Sequence, residues 1–208
     1  MKQDGESIGA NSFEVCKQSW CQQTILLFYS DPEYAKKIEF QFIENGLARE
    51  EHCIYATEED PTFIKKKMEE FGRVSDFIKR NLLHIYQTED PFMHPEGVLA
   101  GAKSNFEMIL KDSKPPYRIV AMLIPDAGTA EAMCTHIKIG REFQDSFEGF
   151  NGSVMCPYNI KKLERNKSDN WISELFDSHH SAIYAPTFEE GGVFQLVLKI
   201  EYFPYPYL

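Results

Sequence analysis

Two rhythms of apolar residues alternate along this chain. Thr24–Tyr29 (TILLFY) is a continuous apolar run, and similar runs recur at His52–Ala56, Leu82–Tyr86, Arg118–Ile124 and Ser153–Tyr158. Short unbroken runs bounded by turn residues predict strands covered on both faces. Between them the spacing changes to that of a helix. Tyr34, Ile38, Phe42 and Ile43 share one helical face, with Ser30 as N-cap, Pro32 in the first turn and an end near Asn45. Asp60-Pro61 opens a second helix through Phe63, Ile64, Met68 and Phe71, and Gly72 closes it. A short helix is expected over 74–80, a loop over Thr88–Pro95, and a long helix over 95–111. Thr129 caps another helix, which runs to about Phe147, and 161–177 contains helical material. Ser181–Ala185 and Val193–Ile200 read as two final strands joined at Gly191-Gly192.

Strands alternating with helices predict an α/β fold of three layers. Its sheet is mostly parallel with helices on both faces, and the short last connection predicts an antiparallel hairpin at one edge. One domain is expected over 13–200. Residues 1–12 lack periodicity and are expected to be disordered. Residues 201–208 (EYFPYPYL) form an aromatic, proline-rich tail that packs across the domain or docks on a neighbour.

The segment after the first strand, SDPEYAKK over 30–37, stands where a strand–loop–helix unit would carry a phosphate-binding loop. A Walker A loop has glycine at its first and sixth positions, then Lys, then Ser or Thr. Here those positions hold Ser30, Ala35, Lys36 and Lys37. Ser30 and Ala35 do not favour the path that lets backbone N–H groups curl around phosphate. Asp31 and Glu33 place carboxylates where phosphate would sit. Like charges roughly 4 Å apart repel by about 4 kcal/mol at an effective dielectric of about 20.

The chain has 208 residues, 43% hydrophobic and 26% charged, so one medium domain with a substantial core is possible. Its formal net charge of −10 disfavours nonspecific nucleic-acid binding, which needs Lys and Arg against phosphate. The local exception, KKLERNK at 161–167, reads as a solvated face. No apolar stretch approaches the roughly 20 residues that span a bilayer, and the first twelve residues have no signal-peptide core. A cytoplasmic protein without a membrane partner is the expectation. Five cysteines with no C-x-x-C pair suit a reducing compartment and give no structural zinc site. Cys53 and Cys156, inside strand runs, are expected to be buried. No cofactor or metal is implied.

In open α/β sheets, ligands bind beyond the carboxyl ends of the strands. That rim would gather Tyr29, Ser30, Asp31, Glu58, Glu59, Asp126 and Tyr158, with Lys36 one helical turn in. The same residues also fit helix caps and solvated loops. His179-His180 is the remaining candidate pair for a ligand. Adjacent histidines can hold a metal or titrate near neutrality. On a strand, however, neighbours point to opposite faces, and at a helix end a His complements the dipole. His52 and His84 read as core-edge groups.

The order of segments resembles the opening of the RecA/KaiC-like ATPases. It resembles more closely the MEDS family, a sensory domain named after methanogens, methylotrophs and a dichloromethane-responsive regulator. The residues that carry the likeness are Tyr29, Gly46-Leu47-Ala48-Arg49-Glu50, His52-Cys53-Ile54-Tyr55, Asp60-Pro61, Arg118-Ile119-Val120, VMCPYN (154–159) and LFDSHHSAIY (175–184). The family often has His at the start of its first strand and Pro after its late His; this chain has Thr24 and Ser181. The resemblance implies a KaiC-like fold without a working Walker A. It also implies a noncatalytic sensory role, with a small molecule or a signalling protein (a kinase or transcription regulator in trans) bound at the strand rim, and a possible homodimer. The alternative is a divergent nucleotide-binding ATPase that uses Lys36 and the acidic residues. The 88–95 loop and the tail are the candidate switching elements.

Overall fold

A computed structural model describes residues 22–124, 128–163, 171–187 and 191–196. The expected N-terminal segment, Asp126, Cys16 and Cys21, most of the 161–167 basic run, residues 197–200 of the expected last strand and the 201–208 tail lie outside the described residues.

Seven strands form one sheet: β1 (Thr24–Tyr29), β2 (His52–Thr57), β3 (Leu83–Gln87), β4 (Tyr117–Ala121), β5 (Gly152–Asn159), β6 (Ser181–Ala185) and β7 (Gly192–Gln195). Their order is β3-β2-β4-β5-β1-β6-β7. All neighbours are parallel except β6 and β7, which pair antiparallel at the edge as the short connection predicted. The helices are α1 (Pro32–Leu47), α2 (Pro61–Glu69), α3 (Val74–Lys79), α4 (Val98–Leu110), α5 (Ala130–Ser146), α6 (Ile160–Leu163) and α7 (Trp171–Asp177).

Strand side chains alternate between faces, and the core divides accordingly. Ile25, Leu27, Tyr29, Cys53, Tyr55, Val120 and Met155 meet Ile38, Phe42 and Ile43 of α1 and Ile64 and Met68 of α2 on one face. Leu26 and Phe28 meet Met133 and Ile137 of α5 and Leu175 of α7 on the other. On that second face Ile54, Ile119 and Val154 pack with Ile109 of α4.

Several boundaries differ from the sequence pattern for local reasons. Asp31, not Ser30, caps α1: its Oδ1 accepts the N–H groups of Glu33 and Tyr34 at 2.9 and 3.4 Å. Gly46 does not end α1 but lies inside it, because a bare Cα is needed there. A Cβ would stand 2.7 Å from Cβ and Cγ of Arg118 and from Sγ of Cys53. The fourth strand stops at Ala121, leaving Met122 outside it. The long helix starts at Val98 rather than near 95, because Gly97 adopts φ 93°. The 88–95 loop is fastened rather than free. Asn105 donates to Glu89 O at 2.8 Å and accepts its N–H at 3.1 Å, and Pro91–Met93 forms a 3-10 turn capped by Asp90.

The run read as continuously apolar at β4 contains a fully buried arginine. Arg118 is 1% exposed and makes a two-point pair with Glu51 (Nε–Oε2 2.8 Å, Nη2–Oε1 3.1 Å). Its guanidinium lies 4.6 Å from the centroid of the Phe42 ring. Burying a charge demands such partners, and Gly46 leaves room for its stem. Gly46→Ala is therefore expected to destabilise the domain by about 1–3 kcal/mol by overpacking. Urea denaturation should show a lower midpoint, and an unchanged midpoint would refute the assigned close contact.

Candidate functional site

The carboxyl ends of β1, β2 and β5 open onto a cavity of about 140 Å³ between the sheet and α1. Tyr29, Lys36, Glu58, Glu59 and Tyr158 line it. Asp31 is engaged in capping α1, and Ser30 does not line this space.

Lys36 Nζ is hydrogen-bonded to the Glu59 carboxylate, and both ends of this pair are partly shielded from water. Beneath them, one helical turn along α1, Glu39 is 5% exposed and accepts the hydroxyl hydrogen of Tyr55. Burial raises the pKa of Glu39, against the opposing pull of Tyr55 and Lys36. Tyr29 is pushed up to about 12, first by burial and then by the charge of Glu39. The cavity is therefore lined by one ion pair, the Glu58 side chain, one carboxyl held toward its neutral form and three phenols that keep their protons, Tyr29, Tyr55 and Tyr158. Glu39 and Tyr55 were not singled out as site residues from the sequence. The available signal was an acid flanked by Ile38 and Phe40, four residues before Ile43, on the buried side of a helix.

A second and larger cavity, about 260 Å³, lies on the opposite face of the sheet beneath α4 and α5. Its walls are mainly apolar: Ala102, Phe106, Ile139, Phe143, Val154 and Cys156. Cys156 is only partly enclosed because it borders this space, and burial pushes its thiol up to about 12, so it stays protonated. Lys103 of α4 and Glu142 of α5 form an ion pair of 2.6 Å at its edge. His136 and Tyr158, joined Nδ1 to hydroxyl at 3.2 Å, line both cavities and form their shared wall.

His179 and His180 stand at the opposite end of the sheet from the rim. His180 N–H bonds to Thr24 O at 3.0 Å, at the amino end of β1. The His180 Nδ1 accepts the Thr24 N–H at 3.1 Å and lies 2.8 Å from its Oγ1. His180 therefore ties β6 to β1, and burial lowers its pKa. His179 is buried and lines the larger cavity. Its Nδ1 lies 2.8 Å from Leu175 O. Burial lowers its pKa to about 4, with the Leu175 carbonyl opposing and His180 adding. Among the described residues no group of three or more His, Cys, Asp or Glu is placed to hold a metal ion. No helix there is long and apolar enough to cross a membrane.

This combination of a mostly parallel α/β sheet with its rim at the end of β1 defines a RecA-like, KaiC-like fold. A crystal structure of a KaiC-like protein from the hyperthermophilic archaeon Pyrococcus horikoshii is similar, with a TM-score of 0.56. The match covers 79% of this chain and 71% of that one at 14% sequence identity, so it carries the fold alone. The chain belongs to the MEDS family, the methanogen/methylotroph, DcmR sensory domain, which matches residues 25–179. Among curated proteins none matches.

The buried ionisable groups set opposing pH dependences. His179 has a folded pKa below its ordinary 6.5, so the unfolded chain takes up a proton that the folded one refuses. Its contribution is complete above pH 6.5 and is lost as pH falls to about 4, a difference of about 3 kcal/mol. Glu39, with a raised pKa, acts with the opposite sign: its contribution is complete below its ordinary value of 4.5 and declines as pH rises through the folded value. His179→Asn keeps an N–H donor near the Nδ1 position and should flatten the loss of stability between pH 6.5 and 4 in chemical denaturation. An unchanged slope would contradict the assignment.

Proposed function

We propose that this member of a sensory family is a noncatalytic module that holds a small, mostly apolar molecule in the cavity beneath α4 and α5. The observation that carries this reading is the contrast between the two cavities described above. The larger of the two is lined mainly by hydrocarbon and aromatic side chains, the kind of surface that gains from excluding water. A dry apolar cavity of about 150 Å³ is enough to take up benzene.

The smaller rim cavity is a poor place for a triphosphate. Lys36 is already matched by Glu59, Asp31 occupies the first N–H groups of α1, and Glu58 adds charge of the wrong sign. A nucleotide would have to break that ion pair and displace the cap before gaining contacts of its own. Sensing requires that the ligand bind one conformer better than another. Output would pass to a kinase or transcription regulator in trans, or to a second copy of the chain.

Toluene is the test probe for the cavity. It should raise the melting temperature of the wild-type protein in proportion to site occupancy, and Ala102→Leu, which fills the space, should remove that rise. ATP with magnesium should give no micromolar binding in calorimetry. Micromolar ATP binding that Lys36→Ala abolishes, with no response to toluene, would replace this reading with a nucleotide-dependent one.

A further inference from the structure

Resting on that cavity reading, we infer that His179 is the polar anchor of the cavity and that its ligand presents a neutral hydrogen-bond donor, a hydroxyl or an N–H, on a small hydrocarbon frame.

The tautomer of His179 follows from its partners. Leu175 O can only accept, and Nδ1 lies 2.8 Å from it, so Nδ1 carries the proton. Ser178 Oγ, 3.0 Å from the same carbonyl and 3.1 Å from Nδ1, belongs to this cluster. Burial keeps the ring neutral. A neutral imidazole protonated on Nδ1 has a lone pair on Nε2, which is then an acceptor and nothing else.

No described residue donates to that Nε2. The ring is 4% exposed and borders the cavity beside Gly140 of α5. Gly140 lets α5 approach this cluster closely: a Cβ there would lie 2.8 Å from Ser178 Oγ and 3.9 Å from His179 Cε1. Three other polar groups of this cavity already have partners. Thr24 Oγ1 contacts His180 Nδ1, the Tyr158 hydroxyl contacts His136, and Lys103 is paired with Glu142.

His179 borders the cavity, and a site built to bond a donor discriminates against an analogue that lacks one. An anion would face the Nε2 lone pair and is disfavoured. A cation would lose its hydration against hydrocarbon walls whose ion pair lies at the edge. A neutral donor on an apolar frame satisfies both the acceptor and the walls.

Phenol and toluene separate the two parts of this inference, because they share a ring and differ by hydroxyl against methyl. The readout is the dissociation constant of each, from ligand-induced shifts in NMR spectra of the wild-type protein and of His179→Asn. His179→Asn should weaken phenol about five- to tenfold, the worth of one net hydrogen bond, while leaving toluene unchanged. In the wild-type protein the ¹⁵N resonance of the His179 Nε2 should move with phenol and not with toluene, a readout that needs no variant. Toluene binding, with phenol insensitive to His179→Asn or with a still Nε2 resonance, would overturn the anchor and leave the cavity reading standing. If neither probe binds, both fail.

Discussion

The pairing of Lys36 with Glu59 is the contact around which the rest of this molecule is arranged. It joins the second turn of α1 to the loop after β2, across the carboxyl ends of two strands that are not neighbours in the sheet. A lysine in that position without a partner would be a cation facing a rim, and it would attract an anion. With Glu59 in contact the charge is met from within the protein. The partly shielded setting makes this pair worth more than an exposed one, and breaking it by removing one partner would leave the other charge poorly solvated. The same local charge balance reaches Glu39: Lys36 pulls its pKa down while Glu59 and burial push it up, and Tyr55 donates to its carboxylate. Lys36, Glu59, Glu39, Tyr55 and Tyr29 thus form one coupled polar patch beneath the rim.

Because strand residues alternate in direction, polar chemistry on one face of the sheet leaves the other face free for a different use. Tyr29 and Tyr55 turn toward α1. Val154, Cys156 and Tyr158 turn toward α4 and α5. The two helices on that second side do not close fully on the strands, and the space left between them is apolar. An unfilled space of this kind forfeits dispersion contacts on every wall atom. The second face is thus both the less tightly packed side of the domain and, on the reading proposed above, the side that gains most from a guest.

Much of the architecture is legible in the sequence, and the reasons are physical. Thr24–Tyr29, His52–Thr57 and the β5 run are buried on both sides, so continuous apolarity marks them. Asp60-Pro61 and Thr129 are caps whose side chains bond where the pattern placed them. The misreadings arise where a residue acts through a distant partner. Gly46 looks like a helix end until Arg118, 72 positions later in the sequence, is seen to need its space. Arg118 sits in a run that reads as hydrophobic, with Glu51 taking its Nε and Nη2 hydrogens, Phe42 lying against its face and Nη1 buried without a hydrogen-bond partner. The rim residues Tyr29, Glu58 and Tyr158 follow from topology and Lys36 from its place in the segment after β1, and the fold places all four around one cavity. Glu39 escaped because one acid on an apolar helical face leaves little periodic signal. The larger cavity escaped for a stronger reason: an empty volume has no residues of its own.

His179 and His180 show how far sequence adjacency misleads about chemistry. They are neighbours with the same side chain, placed where α7 ends and β6 begins. One imidazole must accept at Nδ1, because the Thr24 N–H points at it. The other must donate at Nδ1, because a carbonyl faces it. The two rings therefore hold opposite tautomers, and their free nitrogens have opposite character: an N–H on His180, a lone pair on His179. No shared metal could use both without breaking one of these bonds. A likeness of fold at 14% identity carries the sheet and its rim across to this chain. What the chain binds is decided by local choices of this kind, which differ between residues 179 and 180 and cannot be inherited from a sheet order.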